Sequence, residues 1–443
     1  TGIAYTDGSF GVRTYTPAVT GDTGNRVTGS SQAPPHSDNM LDNHSFEDRF
    51  NGWLVSGTTD DPGAEISRSV TYLGTMAAKI YSGGYVRQSQ NCSANTYYTF
   101  SAYLRQDSTS ENVRLAVYAK NASNEIIKTV KSEYISGTTG WERRHVTIKA
   151  PAGTVRLVVS VEVGTGNAWA DCLQLEKGDC VNAYNLLENS GFEKTTGSVW
   201  TATGSGSYSS DSFAGRYYHM EVSPGEEKLL SQTVEINRPA KSTFFAVSAI
   251  GKAHSVPATE DTRVFGVKVV TTFSDNLTQT DIIRFNEAYK DYWQHGGGVF
   301  GYRGSNANKT ISRVTVSCVY SGNANYADFG SVQLVLDETG TAFSYNSDGK
   351  LVSAADNAGR NHVYSYNSSG DLTSETTPDD KNYTYNYTNS GNVRHRLNYA
   401  KSSSSGLKYT YEYDDYGTDV SSLYQNNSTA AGDPFGNFGQ PSQ

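Results

Sequence analysis

Leu41-Asp-Asn-His-Ser-Phe-Glu47 returns 146 residues later as Leu187-Glu-Asn-Ser-Gly-Phe-Glu193. Trp53 follows the first copy and Trp200 the second. Phe100-Ser-Ala-Tyr-Leu-Arg105 matches Val247-Ser-Ala-Ile-Gly-Lys252, and Trp141 has a partner in Trp293. Ala168-Trp-Ala-Asp-Cys-Leu-Gln-Leu175 is matched by Tyr326-Ala-Asp-Phe-Gly-Ser-Val-Gln-Leu334. Landmarks in one order at a nearly constant offset mark two copies of one domain, at about 36–182 and 183–336. Whatever fold the pattern specifies, it must close a complete core twice.

Each copy reads as strands. Val155, Leu157, Val159, Val161 and Val163 alternate along one face, as do Val314, Val316, Cys318 and Tyr320. A period of two means half-buried strands, and no segment sustains a helical period. Only 18% of the 443 residues are charged, while glycine and 31 tyrosines are abundant. That mixture favours pleated strands and tight turns. The expected class is all-β, with each copy built from two packed sheets.

A different rule governs the end of the chain. Tyr345-Asn-Ser-Asp-Gly349, Tyr366-Asn-Ser-Ser-Gly370, Tyr387-Thr-Asn-Ser-Gly391 and Tyr413-Asp-Asp-Tyr-Gly417 share a tyrosine, three further residues and a glycine. Each unit reads as a strand ending in a turn where glycine supplies the positive φ. Short units of this kind bury nothing alone and must stack on neighbours. The four segments are therefore 1–35, the end of a preceding segment plus a linker containing strand-like Phe10–Tyr15; 36–182 and 183–336, the two copies; and 337–443, the repeats and tail. Thr1-Gly2-Ile3 is no usual start, so the sequence is read as a piece of a longer chain.

The tail resembles the YD-repeat (Rhs-type) family of bacterial wall-associated proteins, polymorphic toxins and teneurins, although only Tyr413-Asp414 has the namesake pair. The duplicated segment resembles the calcium-containing jelly-roll carbohydrate-binding modules. The Asn-x-x-Phe-Glu openings, the Ser-Ala strand and the closing Asp-containing strand before Gln-Leu carry that likeness. Together they imply two tandem jelly-roll β-sandwiches followed by a short array of β-hairpin YD repeats, secreted or on the cell surface. The resemblance further implies a structural calcium joining the opening segment to the last strand, with Glu47 and Asp171 as ligands in one copy and Glu193 and Asp328 in the other. A hard cation takes carboxylate oxygens and would pin distant strands. The alternative is that these acids cap turns or accept backbone hydrogen bonds.

Sugars are held by aromatic faces and fixed polar groups. Trp53/Trp200 and Trp141/Trp293 occur as matched pairs, which points to packing. Strand parity offers a different site. With Phe100, Ala102 and Leu104 inward, Tyr103 and Arg105 face out; with Val113, Leu115, Val117 and Ala119 inward, Arg114 and Tyr118 face out. A hairpin turning at Asp107–Asn112 would bring Tyr103, Arg105, Arg114 and Tyr118 onto one glycan platform, the alternative being an ordinary solvated sheet face.

Other chemistry finds little footing. Gly296-Gly-Gly-Val-Phe-Gly301 matches a dinucleotide fingerprint literally but opens no helix, and is read as a loop. The eight histidines show no metalloprotease spacing, and no G-x-S-x-G elbow occurs. Cys92, Cys172, Cys180 and Cys318 show no C-x-x-C; a Cys172–Cys180 bridge and four free thiols are both open. A net charge of −9 with no Lys/Arg run argues against nucleic acid, and no apolar stretch approaches the roughly 18 residues of a membrane span. The reading is a non-catalytic protein that attaches to cell-surface or environmental polysaccharide. The alternatives are a self-associating structural subunit of an extracellular fibre, and the non-catalytic part of a secreted toxin or glycanase.

Overall fold

In a computed structural model of the chain, the alternating segments form strands throughout. The structure describes residues 2–4, 10–16, 26–33 and 38–427, except 59, 108–111, 137–139, 196–198, 256–261, 287–288, 338–340, 357–359, 389–394, 404 and 414–419. It divides into two units, one of residues 2–12 with 32–337 and the other of residues 1, 13–31 and 338–443.

The first sandwich packs two antiparallel sheets. One runs Ile126–Lys131, Asn112–Lys120, Arg156–Thr165, Tyr85–Asn91, Leu54–Val55. The other runs Glu142–Lys149, Tyr97–Gln106, Ala168–Lys177, Ala77–Ile80, Ala64–Ser67. Tyr85–Asn91, Tyr97–Gln106 and Asn112–Lys120 alternate between the two sheets, the crossing pattern of a jelly roll. Between them lie Phe100, Ala102, Val113, Leu115, Val117, Leu157, Val159 and Val161, all fully buried. Each such valine or leucine contributes about 1.5–3 kcal/mol relative to exposure, enough to hold the sheets face to face.

The second sandwich repeats this plan. Its sheets run Thr201–Thr203, Glu227–Pro239, Thr310–Ser321, Val264–Phe273, Thr278–Arg284 and Ser207–Asp211, Gly215–Val222, Asn325–Leu336, Phe245–Ala253, Gln294–Phe300. The openings also match in conformation. Asn43 and Phe46 take φ of 44° and 59°, and Asn189 and Phe192 take 49° and 58°. Positive φ is costly for a phenylalanine, and the cost is offset because both rings are fully buried, each beside its tryptophan, Trp53 or Trp200.

The glycine run read as a loop is instead the edge strand Gln294–Phe300, paired with Phe245–Ala253. Side chains there are excluded for steric reasons: a Cβ on Gly296 would sit 2.6 Å from Phe285, and one on Gly298 3.0 Å from Ile283. All four cysteines are free thiols, Cys172 and Cys318 buried and Cys180 exposed.

The two sandwiches share one interface. The Gly74 N–H donates to the Ile236 carbonyl (2.9 Å), Ser190 Oγ to Asp38 (2.8 Å), and Arg238 to the Tyr72 carbonyl (3.1 Å). His44 Nδ1 meets the Tyr184 hydroxyl in the buried centre, and Leu73 joins the core of the second sandwich.

In the other unit, the strand Thr341–Tyr345 is followed by Leu351–Asp356, Asn361–Tyr366, Leu372–Thr376, Asn382–Thr388, Arg396–Ser402, Leu407–Tyr413 and Val420–Asn427 in one meander. Gly349 and Gly370 take φ of 74° and 88° in turns closed onto Asn346 and Asn367. Two of the repeat tyrosines tie their strands to earlier ones, the Tyr366 hydroxyl donating to the Leu351 carbonyl (2.8 Å) and that of Tyr413 to Leu397 (2.9 Å). The Tyr387 and Tyr413 motifs run on past these strands into residues that lie outside those described. The stretch assigned as linker also contributes here: Arg26–Ala33 pairs antiparallel with Thr341–Tyr345, Ser30 opposite Thr341.

Candidate functional site

The crossing pattern separates the four residues assigned to one platform. Asn112–Lys120 does not pair with Tyr97–Gln106; it lies between Ile126–Lys131 and Arg156–Thr165 in the opposite sheet. Both strands do turn their apolar faces inward, but towards each other across the core. Their outward residues therefore emerge on opposite surfaces. Tyr103 stacks on Tyr72 with ring centroids 3.7 Å apart, and Arg238 of the second sandwich lies 4.5 Å over Tyr72. Tyr103 thus belongs to the interface between sandwiches, while Arg105 pairs with Asp107 at 2.9 Å.

Arg114 and Tyr118 stand on the other surface, in a cluster around Glu162. Register places Glu162 between Arg114 on one neighbouring strand and Tyr85 on the other. Its carboxylate accepts from Arg87 (3.0 Å), Arg114 (3.1 Å), Lys131 (3.2 Å) and the Tyr118 hydroxyl. Burial pushes the Glu162 carboxyl up, but hydrogen bonds from Tyr118, Lys131 and Arg114 outweigh it and hold it at about 2. The Tyr118 phenol is raised by burial and by donating to Glu162. The guanidiniums are held by rings as well: Arg87 lies 3.7 Å over Tyr85 and Arg114 4.4 Å over Tyr134. Beside this cluster opens a cleft of about 330 Å³ lined by Leu54, Arg87, Tyr118, Lys120, Ile126 and Arg156. Rings, fixed donors and exposed apolar side chains are the groups a sugar needs. Sequence parity found Arg114 and Tyr118; Arg87, Lys131 and Glu162 went unnoticed because their strands pair from distant parts of the chain.

The second sandwich lacks the cluster. At the register positions of Glu162, Arg114, Tyr118, Arg87 and Lys131 it carries Val319, Gly266, Val270, Ser231 and Ile282. There the face is crossed by Ser231–Ser317 and Thr233–Thr315 hydroxyl pairs at 2.8 Å.

The acids assigned to calcium divide differently. Asp171 is fully buried; Oδ2 accepts from the Tyr72 (2.9 Å) and Leu73 (3.2 Å) N–H groups, and Oδ1 from Cys172 (2.7 Å). Burial pushes its carboxyl up to about 8, against those three donors, and the nearby Glu47 charge adds to the rise. Glu47 itself accepts from Thr75 and Met76 N–H (2.8 and 3.0 Å) and from Thr75 Oγ1 (2.6 Å). In the second sandwich the bulge residue with positive φ is Ser331, as Cys172 is in the first, so Gly330 and not Asp328 occupies the place of Asp171. Asp328 takes the place of Trp169 and binds His219 (2.6 Å) and Lys252 (3.1 Å). Glu193 lines a cleft of about 670 Å³ at the join between sandwiches, with Asp38 and Lys194. Among the described residues, no three His, Cys, Asp or Glu side chains are arranged to hold a metal ion.

Known proteins share both parts of the chain. A family described as "Carbohydrate binding domain" matches residues 38–171, and the "RHS Repeat" family matches residues 345–381. The tRNA nuclease WapA of Bacillus subtilis (strain 168) is 24% identical over 360 residues, covering 75% of this chain. The tRNA3(Ser)-specific nuclease WapA of Bacillus spizizenii is likewise 24% identical over 360 residues. The chain spans about 15% of the length of these relatives. Among solved structures, the tandem CBM22 domains of Paenibacillus barcinonensis Xyn10C align over 69% of this chain and 99% of theirs, at 14% identity and a TM-score of 0.27. TmCBM61 in complex with β-1,4-galactotriose aligns over 32% of this chain and all of its own, at 20% identity and a TM-score of 0.25. The first sandwich thus matches the carbohydrate-binding family and the first repeats match the RHS family, while the second sandwich repeats the strand plan of the first.

Proposed function

We propose that the protein is a non-catalytic, secreted or surface-displayed polysaccharide-binding protein, gripping its ligand on the outer sheet of the first sandwich. One observation carries this reading: the Glu162 cluster and its cleft lie within the segment that matches a carbohydrate-binding domain. The second sandwich, with its Ser/Thr face, serves as a rigid support. Calcium belongs to this proposal for the first sandwich only. There Glu47 lies near Asp171, whose carboxyl burial pushes up to about 8 with the Glu47 charge adding to the rise, and a bound hard cation would favour its charged form. In the second sandwich Gly330 supplies no carboxylate, and Glu193 with Asp328 does not fit.

Retention of the full chain on insoluble polysaccharides and cell walls, with calcium and then with chelator, tests the reading. Tyr118→Ala is expected to lower the retained fraction about fivefold or more, and Val270→Ala on the second sandwich to leave it unchanged. Retention indifferent to Tyr118 would move the site elsewhere; no retention on any material would end the reading. A second reading, a non-catalytic stretch of a larger secreted toxin, is favoured by the alignment with the WapA nucleases. The two are compatible, because a toxin can be carried by a chain that also binds a surface.

A further inference from the structure

Along the outward positions of the glycan face stand Arg87, Arg114, Lys120, Lys131 and Arg156, against the one carboxylate of Glu162. The chain as a whole carries a net charge of −9, so this face reverses the sign of the molecule. Resting on the reading above, we infer that the first sandwich recognises an anionic polysaccharide, one bearing carboxylate or phosphate groups along its backbone.

Three observations support this. The first is that the fold does not depend on most of the cations. The second sandwich holds the same strands in the same register with Ser231, Gly266, Thr272 and Ile282 where the first has Arg87, Arg114, Lys120 and Lys131, and of the five it keeps only the fifth, Arg313 standing where the first has Arg156. A duplicated fold that stands without four of these charges does not require them, which leaves them available for a ligand. The second is that Glu162 places the cations without cancelling them. Its one negative charge is shared among Arg87, Arg114 and Lys131, leaving a local excess of positive charge. Arginine presents a fork of N–H donors that suits a carboxylate or phosphate, and a guanidinium already stacked on a ring loses less freedom when it binds one. Arg87 on Tyr85 and Arg114 on Tyr134 are stacked in this way.

The third is the cleft itself. Arg87, Lys120 and Arg156 line it with Tyr118, while Leu54 and Ile126 are 62% and 55% exposed beside them. An acidic sugar has both surfaces this requires, a C–H face for the apolar side chains and an anion for the arginines. A nucleic acid would meet the same charges, but this face lies within the segment that matches a carbohydrate-binding domain, and the Tyr85 ring is covered by Arg87 and so is no open platform for a base.

The test measures binding of the full chain to polygalacturonate, to a poly(glycerol phosphate) polymer, to neutral xylan and to single-stranded RNA. An acidic polymer is expected to bind about tenfold or more tighter than xylan, as charge-assisted hydrogen bonds require. Its affinity should fall steeply as salt rises from about 50 to about 300 mM. Arg114→Gln and the exposed Arg156→Gln should each weaken it about fivefold or more, and Arg313→Gln on the second sandwich should not. Whether polygalacturonate or the phosphate polymer wins assigns the anion. Xylan bound as tightly as the acidic polymers, still sensitive to Tyr118→Ala, would overturn the anionic class and leave the glycan face intact. Acidic polymer bound without regard to Arg114 or Arg156 would overturn the inference, as would a preference for RNA. Retention of no polymer at all would overturn both readings.

Discussion

Glu162 lies between Arg87, Arg114 and Lys131 with the Tyr118 hydroxyl against it, and its side chain is only 12% exposed. Taking a carboxylate out of water is costly, and the charge-assisted hydrogen bonds more than offset that cost, since its carboxyl lies at about 2 against an ordinary 4.5. A carboxyl depressed in the folded state stabilises the fold above its ordinary value, and that contribution is lost as pH falls from about 4.5 towards about 2. A depression of this size amounts to about 3 kcal/mol at most. Urea unfolding of wild type and Glu162→Gln between neutral pH and pH 2.5 should show a stability gap that narrows by about 1–3 kcal/mol at the acid end. A gap that stays constant would mean the charge of Glu162 stabilises nothing. The same scale explains why two calcium candidates misaligned. Asp171 and Asp328 both precede Gln-Leu in sequence, but the bulge at Cys172 and Ser331 sets the register, and counting from it leaves Asp328 two positions short.

At the scale of the strand, much was legible in the sequence: period-two alternation marked the inward faces, and the duplication located both sandwiches. Pairing partners were not legible. Phe100–Arg105 and Val113–Lys120 each have one apolar face, and alternation is satisfied equally by a hairpin and by two strands facing across a core. Which holds depends on distant strands, Arg156–Thr165 beside one and Ala168–Lys177 beside the other. The glycine run misled for a related reason. Glycines at Gly296 and Gly298 look like a flexible loop in one dimension, yet they are strand residues whose missing Cβ atoms make room for Phe285 and Ile283. Gly296→Val should therefore destabilise the second sandwich by about 1–3 kcal/mol through overpacking, read as a lower thermal midpoint. Gly140→Ala, where a Cβ meets nothing within 4 Å, should stay within about 0.5 kcal/mol. Equal effects from the two changes would sink the packing account.

On the scale of the whole chain, the two sandwiches lie in sequence between neighbouring strands of one sheet. Arg26–Ala33 precedes them, Thr341–Tyr345 follows them, and the two pair through Gly29 with Ala342 and Ser30 with Thr341. Closing a segment of about 300 residues costs only slightly more than closing a short one, because the entropy grows with the logarithm of length. The pairing matters to the repeats. The Thr341–Tyr345 strand has Leu351–Asp356 on its other side, so losing Arg26–Ala33 would leave a row of backbone groups without partners, an exposed edge. Among the described residues, the repeat strands also lack the deep core that steadies the sandwiches: Leu351, Tyr364, Tyr366 and Tyr385 are only half-buried. Deleting residues 1–35 should thus raise amide hydrogen exchange across 341–345 by about tenfold or more, while amides in the sandwich strands, such as Asn112–Lys120, exchange as before. Unchanged exchange across 341–345 would remove the N-terminal strand from the sheet. Faster exchange in the sandwiches as well would mean that the N-terminal residues stabilise the modules in addition to the repeats.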